Sequence, residues 1–329
     1  MKLHNIMANL INNQITYTVK NNGEWFYKSL QKAHTLANDY IRVIPNVTKD
    51  VKIHKLVMQN TISQKDERDC AWNPTQRITL NEATFQVKNW KINEEQCMEE
   101  LDSIWSEMQY RQIGATKDEW PASTDGNESL ESAVMFHVQN SLANDIERII
   151  WGGTGNKVGG QNTDGIVDKA LASATSIKIT GQTIDANNVL GEIEKVYNAI
   201  PNVVLNDGEF DPEKAAVKIF VNMDIMRYLR QALSTVATSQ QVILPSFAVE
   251  GGKIFYLGVE IVVVGLPANT MIAASKDNLV FVTDLLSDTQ EIRAQFGNDL
   301  KDESMLYIKG AYRANAGMIF DDELVIYHA

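Results

Sequence analysis

The sequence predicts an α+β fold, on three observations. One apolar stripe about six turns long marks a helix over 128–150. From residue 253 onward the chain reads almost wholly as strands. Between these parts helices and strands do not alternate in the regular βαβ order of a parallel sheet. The 329 residues suffice for one large or two ordinary domains. An apolar fraction of 44% and a charged fraction of 22% are those of a globular chain, which excludes a disordered one.

The first 48 residues are polar with scattered apolar positions. Trp25 to Ala37 reads as a short helix with Trp25, Leu30, Ala33 and Leu36 or Ala37 on its apolar side, and Pro45 ends the segment. Residues 51–58 and 76–92 are rich in Val, Ile, Thr and aromatics, and read as two strands of one long hairpin. Its polar tip, 61–75, holds Lys65, Asp66, Glu67, Arg68 and Asp69, with Cys70 and Trp72 beside them. A two-stranded ribbon is marginal in water, so this hairpin is expected to lie on something else.

Residues 93–113 read as a helix, with Glu94 and Glu95 in the first turn, where carboxylates suit the dipole. Cys97 falls on it. Gly114 stops it, and 114–127 has a loop composition. In 128–150, Leu130, Val134, Val138, Leu142, Ile146 and Ile150 recur every four residues, up to the stop at Trp151-Gly152-Gly153. A Gly-rich loop runs over 152–165. Residues 176–180 read as a strand. A helix over 188–200 is capped by Asp185 or Asn187. Val217 to Val221 is a strand, and Asn222 caps a helix over 223–235. Residues 236–252 are rich in Ser, Thr, Gln and Gly. The closing strands are 254–264, 270–274, 279–283, 289–296, 304–313 and 316–327, with Asp321-Asp322-Glu323 as a turn.

The usual chemical motifs are absent from the sequence. WGGTGNKVGGQNTDG lacks the Lys-Ser/Thr of a phosphate loop. It also follows a helix rather than a strand, so it reads as a helix stop and turn. Asp207-Gly208-Glu209-Phe210-Asp211 alternates carboxylates as a calcium loop does, but Pro212 stands where Gly is needed and the closing bidentate Glu is missing. The five histidines (His4, His34, His54, His137 and His328) are isolated, and no nucleophile elbow occurs. Two cysteines cannot build a disulfide framework or a four-cysteine zinc site, and they suit a reducing compartment. The expectation is no enzyme, no catalytic residues, no cofactor and no metal. Neither a membrane helix nor a secretory signal is readable.

The net charge of −12 argues against a surface that grips nucleic acid. It is unevenly distributed. Residues 1–50 carry 6 basic and 3 acidic groups, and 51–91 carry 7 and 4. Residues 92–150 carry 3 basic and 13 acidic groups, a net of −10. Basic and acidic parts of different copies are therefore expected to attract one another.

The C-terminal third carries a further sequence of features. Tyr256-Leu257-Gly258-Val259-Glu260-Ile261-Val262-Val263 places a leucine-glycine pair before a hydrophobic run, followed by the turn Leu266-Pro267-Ala268-Asn269. Lys276-Asp277-Asn278-Leu279-Val280 enters a sheet. Ser304 to Ala316 holds Tyr312-Arg313, and Gly317 to Tyr327 closes the chain's last strand. With the arm, the hairpin, the long helix and Asp164-Gly165-Ile166, this order resembles the major capsid proteins of tailed bacteriophages, the Hong Kong 97-type fold. The resemblance covers nearly the whole chain.

It implies an N-terminal arm (1–48), an extended E-loop hairpin (49–92), and a peripheral domain (93–180) with spine helix 128–150. An axial domain (about 181–275) and a closing β-sheet of the peripheral domain (276–329) complete the subunit. Further implications are hexamers and pentamers of the chain in an icosahedral virion shell, assembled in the host cytoplasm. That shell would enclose double-stranded DNA without sequence-specific binding. A separate scaffold protein is expected, since no long helical segment precedes the arm, and a portal as well. Lys65, Arg68, Cys70 and Trp72 at the E-loop tip are the expected inter-subunit contacts. The family's cross-link is not implied, because no matching Lys, Asn and carboxylate set is found. The alternatives are an encapsulin-type nanocompartment, which commonly lacks a long E-loop, and a tail protein of a virion.

Overall fold

The computed structural model describes residues 16–18, 32–47, 49–58, 78–97, 130–206, 217–240, 246–284, 293–296 and 305–329. In chain order the elements begin with β1 (Thr16–Thr18), α1 (His34–Ala37), β2 (Arg42–Ile44), β3 (Val51–Met58), β4 (Ile78–Phe85), β5 (Lys88–Cys97) and α2 (Leu130–Trp151). Next come β6 (Lys157–Val158), β7 (Gln161–Asn162), α3 (Ile166–Ala172), β8 (Ile177–Thr180), α4 (Val189–Ala199), α5 (Asn202–Asn206), β9 (Val217–Val221) and α6 (Met223–Gln240). The rest is strand: β10 (Phe247–Glu250), β11 (Lys253–Tyr256), β12 (Val259–Val263), β13 (Thr270–Ser275), β14 (Leu279–Thr283), β15 (Arg293–Phe296), β16 (Met305–Met318) and β17 (Val325–His328). The α+β expectation holds.

The chain forms two compact units. One comprises 1–38, 88–147 and 283–314; the other comprises 39–87, 148–282 and 315–329. In the first unit β1, β15, β16 and β5 pair antiparallel in that order. Leu142, Ala143 and Ile146 of α2 are buried, as are Ile308, Tyr312 and Ala314 of β16. Short polar links hold the segment around α1. Lys32 donates to Gln139 Oε1 at 2.8 Å and to Asn140 Oδ1 at 2.9 Å, and the Thr35 amide donates to Glu147 at 3.1 Å. Asp284, fully buried, accepts the Arg313 amide at 2.6 Å.

The second unit is built on a seven-stranded sheet of order β10-β11-β12-β9-β13-β17-β8. Its β12–β9 and β17–β8 pairs are parallel and the others antiparallel. Val189, Ile193 and Val196 of α4 join Ile225 and Leu229 of α6 in one core with Ile219, Val221, Met271 and Val325 of the sheet. On alternate positions of β9, Phe220 meets Trp151, the last residue of α2, at 5.1 Å between ring centroids. The predicted N-cap of α6 is present: Asn222 Oδ1 accepts the Ile225 amide at 2.8 Å. That of α4 differs. Asn188 occupies the cap position, but its side chain bonds the Asp185 amide and the Thr183 carbonyl rather than a helix amide, and Asp185 accepts the amides of Asn187 and Asn188 in the preceding turn.

Several expected boundaries move, each for a physical reason. The segment 76–92 is not one strand. It breaks at residues 86 and 87 into β4, paired with β3, and β5, paired with β16. Residues 93–97 are strand rather than the start of a helix, because a ladder of ten pairs with β16 outweighs the helical bias of Glu94 and Glu95. Cys97 is therefore on a strand; the remainder of 93–113 lies outside the described residues. The expected strand 254–264 is a hairpin, turned by Leu257 and Gly258 at φ 46° and 87°. One strand runs through to Met318, and Asp321–Glu323 form a 3-10 turn inside the expected strand 316–327. Helix α6 extends to Gln240, while α3 and α5 have no counterpart in the sequence reading.

Candidate interaction site

Strands β3 and β4 form an eight-pair antiparallel hairpin arm, Val51 opposite Phe85 through Met58 opposite Ile78. Alternation gives the arm two sides. At the base, one side presents Val51, Ile53, Ala83 and Phe85 to Val47, Val280 and Val282. Phe85 is the anchor, at 3% exposure, and Val280 and Val282 lie in a strand buried along its full length. Gly317 lets this packing close up, since a Cβ there would meet the Phe85 ring at 3.0 Å. The other side of the base is exposed and polar, with Lys52, His54, Glu82 and Thr84. Lys52 Nζ lies 2.8 Å from Glu82 Oε2, and this bond holds the Glu82 carboxyl below the usual carboxylate range. His54 Nδ1 is 3.7 Å from the same carboxylate.

Beside the arm lies an open groove of about 690 Å³, lined by β4, by α3 and by Gly317–Ile319. Ser173 donates to Asp321 at 2.6 Å across it, and Lys169 donates to the side-chain oxygen of Asn315 at 3.1 Å.

The Gly-rich loop after α2 is a packing joint. Gly152 ends the helix at φ 63°, and a Cβ on it would lie 2.4 Å from the Gly165 amide nitrogen. Conversely, a Cβ on Gly165 would lie 2.5 Å from the Gly152 amide nitrogen. Asp168 accepts the Gly153 amide at 2.8 Å. The glycines permit backbone-on-backbone contact between the end of α2 and the start of α3, as a helix stop and turn requires.

One buried ionic cluster in the second unit centres on Glu260. Burial pushes its carboxyl up, but Lys218 and Lys253 more than reverse this, leaving it below the ordinary carboxylate range. Lys253 Nζ lies 2.8 Å from Glu260 Oε1, Lys218 bonds its other oxygen, and the Lys218 ammonium also sits 5.6 Å from the Tyr40 ring centre.

Lys65, Arg68, Cys70 and Trp72, the residues singled out at the hairpin tip, lie outside the described residues, as do His4 and the 207–211 carboxylates. His34, His54 and His137 are separate and exposed. Among the described residues no three His, Cys, Asp or Glu side chains are grouped to hold a metal. No described helix is long and apolar enough to cross a membrane. Sequence reading passed over the anchor of the arm. Val51 and Ile53 alternate in the sequence, but their pairing with Phe85 and Ala83 is given only by the register.

No protein-family model matches the chain, and no curated protein sequence is detectably similar. Solved structures are. The capsid of Cyanophage A-1(L) superposes with a TM-score of 0.53 at 13% identity, over 90% of this chain and 92% of that one. This is the phage capsid fold. A capsid chain of the native GTA particle gives 0.53 at 10% identity, over 92% and 91%. The procapsid of satellite phage P4 with its size determination (Sid) protein gives 0.50 at 11%, over 93% and 98%. The match covers about nine-tenths of the chain, in agreement with the resemblance carried by the order of sequence motifs.

Proposed function

We propose that this chain is the structural subunit of an icosahedral capsid that assembles into hexamers and pentamers around a double-stranded DNA genome. The observation that carries the reading is the end-to-end match of the fold to chains that build capsids, with about nine-tenths of each chain covered. On this reading 1–48 is the arm and 49–92 the E-loop. Residues 93–180 with 276–329 form the peripheral domain, and about 181–275 the axial domain. Lys65, Arg68, Cys70 and Trp72 contact a neighbouring copy. A separate scaffold and a portal serve assembly in the host cytoplasm. The net charge of −12 suits a container whose DNA must pack and leave, since a basic lining would hold it.

Electron microscopy of the expressed chain tests the proposal. Closed icosahedral particles are the expected result. A stable monomer that never forms shells overturns it. Particles loaded with an enzyme instead of DNA would make it a nanocompartment, and rings or tubes would make it a tail component.

A further inference from the structure

The groove beside the arm runs along a strand edge. Glu82, Ala83, Thr84 and Phe85 of β4 line it in unbroken succession. Side chains alternate along a strand, so one face contributes only every second residue. Consecutive residues line the same space where that space follows the edge. The edge is open, since among the described residues β4 pairs with β3 alone. Every second residue of an antiparallel edge strand turns its amide and carbonyl outward. The facing wall is Gly317, Met318 and Ile319. Its backbone is already engaged: the Ile319 amide donates to Asn278, and Lys169 donates to the Ala316 carbonyl. A further strand in the groove would therefore pair with β4.

The lining has two characters. Ala83, Ala172 and Ile319 supply accessible apolar surface, and Glu82, Asp321 and Asp322 supply carboxylates. Lys169 is the one cation of this lining among the described residues, and it is turned to Asn315 and Ala316. Lys52 reaches Glu82 from outside the lining.

We infer that the groove binds an extended peptide segment of another protein, one that alternates basic and apolar side chains and adds to β4 as a strand. Backbone pairing with β4 supplies affinity, and alternation sends apolar side chains to one wall and basic ones to the carboxylates. The excess of carboxylates sets the sign of the partner. Residues 82–85 of β4 span about 13 Å, room for a segment of about four to six residues. The chain's own described segments of this pattern are occupied: 51–55 lies in the β3 ladder and 177–179 in the β8 ladder. The inference goes beyond the shell reading and does not depend on it, because every lining residue belongs to the second unit.

The probe is a fluorescein-labelled peptide of about six residues, alternating lysine and valine, titrated against the full chain by anisotropy. Saturable binding to the wild type is expected. Binding at least tenfold weaker is expected for Ala172→Trp, whose ring would fill the groove from an exposed position of α3. A glutamate-valine peptide should also bind at least tenfold more weakly to the wild type. No saturable binding by the wild type, equal affinity in the variant, or equal affinity for the glutamate peptide overturns the inference. Hydrogen exchange covers a variant that misfolds. The lysine peptide should slow exchange within 82–85 of the wild-type chain at least tenfold, and unchanged rates there overturn the inference. Tighter binding of a peptide copied from residues 1–15 would make the occupant the chain's own N-terminal segment, which overturns a foreign one.

Discussion

Tyr327 shows how far one side chain is specified by its surroundings. It is fully buried in β17, its hydroxyl donates to the Gln182 carbonyl at 2.7 Å, and its ring fills the space above Gly181. A Cβ on Gly181 would lie 2.0 Å from that ring. Burial first, and the neighbouring Glu192 carboxylate second, push the phenol up to about 12. In the unfolded chain it titrates near 10. Between these values the folded chain holds a proton that the unfolded chain has lost. Stability therefore falls as pH rises through this window, by about 1.4 kcal/mol per pH unit from this group. Denaturant unfolding at a series of pH values should show a decline with pH that is shallower by about this amount in Tyr327→Phe than in the wild type. An equal slope in both chains would refute the assignment.

At the scale of elements, the hairpin arm is held by its root. Phe85 is the largest side chain in the small core under the base, among Val47, Val280 and Val282. Phe85→Ala should destabilise the second unit by about 3–5 kcal/mol, the usual cost of emptying a buried aromatic site. The shift of the urea midpoint measures it, and a change within error of zero would mean the root is not a core.

The elements also show what the sequence could and could not disclose. Helix α2 was legible because its stripe is long and regular, β9 and β14 because they are short, mostly apolar runs, and β3 because it is rich in Val and Ile with partial alternation. The end of β5 was not. Glu94 and Glu95 favour a helix locally, and only the far-away partner β16 makes them strand. Helix α3 was hidden because its seven residues span only two turns, and its start depends on Gly165 meeting Gly152. The polar tip 61–75 was read from composition and lies outside the described residues. The anchor at the base needed the register, which two partly alternating strands do not state.

For the whole molecule, the charge distribution bears on the proposed assembly of copies. Residues 1–91 are net basic and 92–150 strongly acidic. Opposite patches on neighbouring copies speed encounter and weaken with salt. Lys65→Glu with Arg68→Glu should slow shell formation, followed by light scattering, most at low ionic strength. Unchanged rates at low salt would remove the tip charges from the docking scheme.

The two compact units share the chain in interleaved pieces, with crossings after residues 38, 87, 147, 282 and 314. During synthesis the first unit therefore lacks part of its sheet until β16 leaves the ribosome, and the second lacks its strand β17 for longer still. Neither unit can finish folding early and wait for the other. High sequence separation between partners also makes folding slow. An unfinished chain thus presents no completed surface to its neighbours. In the shell proposed above, the path of the polypeptide would keep nascent copies out of association, and competence to join would arrive late and all at once.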